Sequence, residues 1–525
     1  MSHSRFHGAG ALLASFALLF LLPLAAQAQQ GCDALVPSGG DDAPAINACL
    51  ANARRAVLGS GVFRLSRPIE FPRASGVRLQ GVGAESVLRP TYACGQASPF
   101  VVPAQGSTSG QYQPVINVTR APGAVLSNFR LNLQELRRDC GHKGAYAIMV
   151  DKSDDVQVLN LRIRGSQFGT PEYTSGGANG GGVQYVNSAR GTIRGNDIRD
   201  VGFAADVGTN SAGKNGIAIE NSASVRVESN VVERVGFQIS VSNFSPAFGF
   251  TGDSSGTVVT GNTLVGAANI NCPGCSQGRA IKLQACGRTD VQDELPLRNL
   301  VVRGNDARDF GGANGQQGGS GLDLVCGVQY GTFESNRFVG AGTAEFGAQV
   351  RSSFQSLVNP SHHNKVDFNT FTSGRGRPGC DGSCVDVNFN ADAPDQIGLR
   401  RGVAGTNVAS SFRPGSSRCG DYGHAFFNYP AGQVFVNRGQ SLLLAAAGMQ
   451  PSTSTTFRFL RQDGALVAAF TSQNANGNCV VNQQLFPISA GQFAPGRYNL
   501  VADYLDGPSN GVRISNDPIG TIDVR

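Results

Sequence analysis

The chain has 525 residues, a formal charge of only +6, Gly 70, Cys 12 and Trp 0. So small a basic surplus argues against a general nucleic-acid binder and leaves room for an anionic partner. The missing tryptophan removes the best flat platform for stacking on neutral sugars, and the glycines carry no collagen-like period, so they mark many tight turns.

Residues 1–28 read as a secretory signal peptide. Arg5 gives the positive start, residues 11–24 the apolar core, and Ala26, Gln27 and Ala28 a small-x-small cleavage site. Pro23 and the short apolar length argue against a permanent anchor, and no later segment is long and apolar enough to span a bilayer. The mature chain is therefore expected to be secreted or periplasmic, where its 12 cysteines, all beyond the cleavage site, can oxidise.

Residues 42–54 carry Ala45, Ile46, Cys49 and Leu50 at helical spacing, a stripe suited to covering the open end of a solenoid. Further on, short apolar lines recur: Ile148 and Val150, Val183 and Tyr185, Ile217 and Ile219, Ile239 and Val241, Ile281 and Leu283, Leu322 and Leu324, Ala348 and Val350, Val385 and Val387. Each is followed by a second and a third apolar pair. Between those two sits an asparagine in six successive units, Asn196, Asn230, Asn262, Asn305, Asn336 and Asn369, while Phe129 and Leu161 hold the place in the two earlier ones.

Repeats of 31 to 43 residues fit coils of three short strands joined by loops of variable length. No such strand is stable alone, so each must stack on its copies about 4.8 Å away. The asparagines fit a structural ladder, since Asn tolerates unusual backbone angles and its amide can bond the copy in the next coil. A β-propeller, with four strands per blade and more regular turn signatures, is excluded. From about Val434 the pattern changes to six antiparallel strands separated by turn signals, which suggests a small immunoglobulin-like sandwich. The expected division is a signal peptide at 1–28, a solenoid at 29–428 with its cap and first strand in 29–75, and a sandwich at 429–525.

Three short runs carry a family resemblance. They are Asp41-Asp42-Ala43-Pro44-Ala45-Ile46, then Gly61-Val62-Phe63-Arg64-Leu65-Ser66, then Gly76-Val77-Arg78-Leu79-Gln80-Gly81-Val82-Gly83. Together they resemble the start of pectate-lyase-superfamily proteins, and the likeness extends over roughly residues 33–425. It implies an all-β fold: a right-handed parallel β-helix with a capping helix. It also implies that ligands lie along the first strand of each coil and the loops before it. This scaffold hosts lyases, hydrolases, epimerases and binding proteins, so the activity must be argued from residues.

With apolar residues inward, the first strands present an outward row of Met149, Gln184, Ala218, Ser240, Lys282, Asp323, Gln349 and Asp386. A second row reads Asp151, Val186, Glu220, Ser242, Gln284, Val325, Arg351 and Asn388. Charges gather on the later coils, which supports two chemistries. In β-elimination from a uronate polymer, Lys282 is the base, Arg351 and Arg279 grip the carboxylate and lower the lysine's pKa, and Asp323 orients it or holds calcium, the one candidate cofactor. In inverting hydrolysis, Asp323 and Asp386 form the acid–base pair. Glu220, Gln284, Arg279 and Arg288 are the candidate substrate-binding residues. A bland alternative makes Lys282 and Asp323 an exposed salt bridge, and a non-catalytic glycan-binding surface protein is the third reading. The expected partner is an anionic polysaccharide, with no nucleic acid and no membrane span, acting on a monomer.

No named activity can be carried over residue by residue. Arg279-Ala280-Ile281-Lys282 is similar to the Arg-x-Lys element of polygalacturonases but has one residue more, and their Gly-His-Gly and paired-aspartate elements are absent. The Asp-Pro-His motif of alginate epimerases and the calcium cluster of pectate lyases are missing as well. Disulfides are expected for Cys32–Cys49, Cys286–Cys326, Cys380–Cys384, Cys419–Cys479 and Cys94–Cys140. Cys272-Pro273-Gly274-Cys275 reads as a loop disulfide rather than a metal or redox motif, and His362-His363 as solvated turn residues.

Overall fold

The computed structural model describes residues 32–91, 114–133, 146–165, 180–201, 214–246, 249–267, 278–286, 295–312, 318–351, 361, 364–374, 384–390, 412–414, 424–430, 433, 435–447, 449–477, 479–505 and 513–525. The chain forms a right-handed parallel β-helix whose coils build three parallel sheets of 10, 10 and 11 strands. We number the sheets I, II and III in the order each coil visits them. Sheet I runs from Arg55–Leu58 to Lys365–Asp367, sheet II from Gly61–Leu65 to Thr370–Thr372, and sheet III from Ile69–Glu70 to Phe412–Pro414. Alternation places Ile163, Ile198, Val232, Leu264 and Ala307 of sheet II one above another, all fully buried in a continuous core.

The corners explain why the repeat is legible. The chain leaves sheet I through a left-handed residue in every coil from Asn128 onward: Asn128, Asn160, Gly195, Ser229, Gly261, Gly304, Ser335 and Phe368, with φ between 53° and 67°. The ladder asparagine follows at once. Asn230, fully buried, accepts from the backbone N and side-chain Nδ2 of Asn196 at 3.0 and 2.9 Å and donates to Ile193 O and Asn262 Oδ1 at 2.9 and 3.0 Å. Asn262, Asn305 and Asn336 repeat the pattern. A serine ladder holds the corner between sheets III and I. Ser153 N donates to Ser188 Oγ, Ser188 N to Ser222 Oγ and Ser222 N to Ser254 Oγ, at 2.9–3.0 Å.

Helix α1, Ala43–Ala53, closes the N-terminal end and buries Ala43, Ile46, Cys49 and Leu50. Ala45, expected in that stripe, is exposed; Ala43 takes its place because Asp41 and Asp42 set the helix entry. Asp41 accepts from Ala43 N and Ser66 N, and Asp42 from Ser38 N and Arg64 N, so the acidic pair pins the helix to the first sheet II strand. The expected Cys32–Cys49 and Cys286–Cys326 disulfides are present. Cys384 and Cys479 are also disulfide-bonded, whereas Cys94, Cys140, Cys272, Cys275, Cys380 and Cys419 lie outside the described residues, as do residues 1–28, expected to be a signal peptide, and His362-His363.

At the C-terminal end, His424–Asn428, Ser441–Ala447 and Val480–Pro487 form one antiparallel sheet, and Leu466–Thr471, Thr456–Leu460, Gly496–Leu505 and Arg513–Val524 another. They enclose their own core around Phe427, Phe457, Phe459 and Phe493. His424–Asn428 is a strand that the sequence pattern did not announce. Ala445 belongs to the β-helix core and Val480 packs against it, so this sheet covers the end of the solenoid. No helix among the described residues is long and apolar enough to cross a membrane.

Candidate functional site

The outer face of sheet III is built by register. Asn117, Met149, Gln184, Ala218, Ser240, Lys282, Asp323 and Gln349 follow one another across eight coils, as expected from Met149 onward. The row then continues into Asn388, not Asp386. Asp386 lies two positions earlier, opposite Gly347, and is 2% exposed, with Oδ1 accepting from Ser373 N and Oγ at 2.8 and 3.0 Å. It fastens the incoming turn, so Asp323 and Asp386 form no acid–base pair.

The second row holds Asp151, Val186, Glu220, Ser242 and Gln284. A bulge then puts Cys326 rather than Val325 opposite Gln284. Arg351 ends the strand Ala344–Arg351 and pairs with Asn390, not Asn388. Arg288 lies outside the described residues.

A third outward row was not foreseen: Tyr146, Gly181, Asn215, Phe237, Arg279 and Ser320. It exists because two consecutive residues face inward at this bend, Ala147 with Ile148 and Ala280 with Ile281, all in the core. The bend places Arg279 and Lys282 on one face. Arg279 Nε lies 2.7 Å from Asp323 Oδ2, with side chains 9% and 0% exposed. Asp323 therefore belongs to a buried ion pair rather than an exposed bridge. Both cations also stand over the Phe237 ring, Arg279 Cζ at 5.4 Å and Lys282 Nζ at 5.1 Å from its centroid.

Two coils before Lys282, Glu220 stands on the same outer face of sheet III. Gln184 Nε2 donates to Glu220 Oε2 at 2.8 Å. Burial drives the Glu220 carboxyl up to about 7, against the opposing pull of the Gln184 hydrogen bond and the Lys282 charge. Asp151 is also raised by burial, with Lys152, Asn187 and Arg120 opposing. Between Glu220 and Lys282 lie Ser240 and Ser242, whose Oγ atoms are 3.4 Å apart. The face thus offers a carboxyl that can both give and take a proton near neutrality, a cation roughly 9–10 Å further along by strand spacing, and hydroxyls between them. The Arg279 charge is balanced by Asp323 in the ion pair. Gln184 was read in the row but not singled out, and Phe237 was not read at all. Among the described residues, no group of three or more His, Cys, Asp or Glu side chains gathers as a metal site would.

No protein-family model matches the chain, and no curated protein matches it. Solved structures similar to it include an alginate lyase from Paenibacillus sp. str. FPU-7, at 16% identity over 64% of this chain and 94% of that one, with a TM-score of 0.36. The tailspike protein of E. coli bacteriophage HK620, in complex with pentasaccharide, is 10% identical over 85% and 80%, with a TM-score of 0.40. A polygalacturonase from Erwinia carotovora ssp. carotovora is 10% identical over 59% and 91%, with a TM-score of 0.34.

Proposed function

We propose that the outer face of sheet III binds an acidic polysaccharide and cleaves it by β-elimination. The observation that carries this reading is Glu220: a buried carboxyl raised to about 7, on the same outer face of sheet III as Lys282. In this scheme Lys282 neutralises the uronate carboxylate and the negative charge that develops beside it. Deprotonated Glu220 takes the proton next to that carboxylate, the freed electron pair forms a carbon–carbon double bond as the bond to the neighbouring glycosidic oxygen breaks, and that oxygen takes a proton from water, whose hydroxide then recovers the proton held by Glu220. The role of base thus passes from Lys282, the sequence-level candidate, to Glu220. Arg279 and Asp323 act as positioning residues, holding Phe237 and Lys282 in place through the buried pair.

The test uses purified mature protein on a panel of uronate polymers and neutral glycans, following ultraviolet absorbance from unsaturated ends together with total reducing ends. Absorbance on a uronate polymer that falls at least a hundredfold in Glu220→Gln and Lys282→Ala, with both variants folded, supports the scheme. Reducing ends without absorbance would replace it with hydrolysis. Silence on every polymer would leave a glycan-binding surface as the function.

A further inference from the structure

The outer face of sheet II carries a second charged feature, remote from the sheet III site. Its first four strands are Gly61–Leu65, Ser86–Pro90, Arg130–Asn132 and Arg162–Arg164. None contains an acidic residue, and each presents arginine outward. Arg64 stands directly across from Arg89, and Arg130 from Arg162. Like charges opposed across neighbouring strands repel.

The later coils show the contrast. From Asp197 onward most sheet II arginines have carboxylate partners: Arg164 and Arg199 share Asp197, Arg199 also reaches Glu233 at 2.7 Å, and Arg308 and Arg337 hold Asp306 at 2.8 and 2.9 Å. Asp197 is in register with Arg162, yet its carboxylate is taken by the other two arginines. No salt bridge among the described residues reaches Arg64, Arg130 or Arg162. Arg64 and Arg162 are exposed, and the Nε–H of Arg130 is buried without a hydrogen-bond partner.

We infer that this stripe is a second binding surface, for a linear acidic polysaccharide lying along the solenoid axis. The arginines stand in two neighbouring rows, Arg64 with Arg89 and Arg130 with Arg162, one coil step of about 4.8 Å apart within each row, and their guanidinium forks match carboxylate or sulfate groups bidentately. A polysaccharide is favoured over single-stranded nucleic acid because these strands offer no outward aromatic ring for base stacking; Phe63, their one aromatic residue, is 1% exposed. Such a surface would hold the polymer on the protein while a different stretch of it reaches the site on sheet III, raising the local concentration there.

The experiment measures binding of polygalacturonate and of a sulfated glycosaminoglycan by full-length mature protein at several salt concentrations. All proteins carry Glu220→Gln so that the probe is not consumed. Adding Arg130→Gln with Arg162→Gln is expected to weaken binding at least tenfold and to flatten its salt dependence. Arg303→Gln, which removes a sheet I arginine paired with Glu334, should stay within twofold. Repeating the comparison in a Lys282→Ala background, which removes the sheet III contribution, should give the same tenfold fall from the arginine pair, so failure of the elimination scheme would leave that fall unchanged. If the double variant misfolds, Arg64→Gln with Arg162→Gln, both at exposed positions, serves instead. Wild-type affinity in a correctly melting double variant would overturn the inference, and so would loss confined to Lys282→Ala. Equal affinity for single-stranded DNA, lost in the same variants, would overturn the assignment to polysaccharide.

Discussion

Replacing Asn230 with leucine tests how much of the solenoid's cohesion resides in its corners. The side chain makes four hydrogen bonds at 2.9–3.0 Å, and it is fully buried. Each is worth about 1 kcal/mol net, and the Asn196 N–H left buried without its acceptor costs roughly 1–3 kcal/mol more. Leucine fits the site in kind, since Leu161 occupies the equivalent place one coil before Asn196, so the expected loss is on the order of 5–7 kcal/mol and reflects hydrogen bonding rather than volume. A stacked solenoid can open coil by coil, so a local readout resolves the corner better than a melting curve. Native-state hydrogen exchange followed by mass spectrometry reads the opening of each coil. At about 1.4 kcal/mol per tenfold, peptides covering residues 193–196 and 226–233 should exchange roughly ten-thousandfold faster, while those from α1 and the C-terminal sheets are unchanged. Exchange within tenfold of wild type at those corners would refute the view that the ladder, rather than apolar stacking alone, fixes the coils.

Two further outcomes are expected. The Glu220 carboxyl ordinarily titrates at 4.5 and stands at about 7 in the folded protein, so folding takes up a proton between those values and stability falls as pH rises through that window. The loss amounts to roughly 3 kcal/mol by pH 8, and Glu220→Gln should flatten the melting temperature between pH 5 and 8; parallel wild-type and variant curves would refute it. Breaking the buried pair from one side, as Asp323→Asn or Arg279→Gln, should cost about 3–5 kcal/mol, while Arg279→Met with Asp323→Leu should cost clearly less, because the penalty lies in leaving a buried charge alone; denaturant midpoints of the three variants decide this.

The coil repeat was legible in the sequence because each ladder asparagine is held by backbone groups on both sides, so the residue type and its place after a left-handed turn recur together. The serine ladder uses the same physics and was missed. Serine is common in turns, and the residues between Ser242 and Ser254 push its fourth member out of phase. Strict alternation failed where two neighbours face inward. Ala280 and Ile281 do so, and this turns Arg279 toward Asp323 in a way that counting by twos cannot anticipate. The same bend hid Phe237 and Tyr146. Asp386 was misplaced by two positions because its strand enters after a variable turn, where the apolar pattern of Val385 and Val387 fits either register. Glu220 was readable as an outward carboxylate, but its raised pKa depends on how completely it is buried, which no local pattern encodes.

The two ends of the β-helix bear on a different question, that of size. A stack of parallel strands finishes in rows of unsatisfied amides and carbonyls, a template on which another chain can grow. Here helix α1 lies over the first coil, tied down by Cys32–Cys49, and the sheet carrying Ala445 and Val480 leans on the last. The same geometry that lets the molecule extend coil by coil would let separate molecules join end to end, and these two terminators confine it to a rod of finite length instead of a fibre.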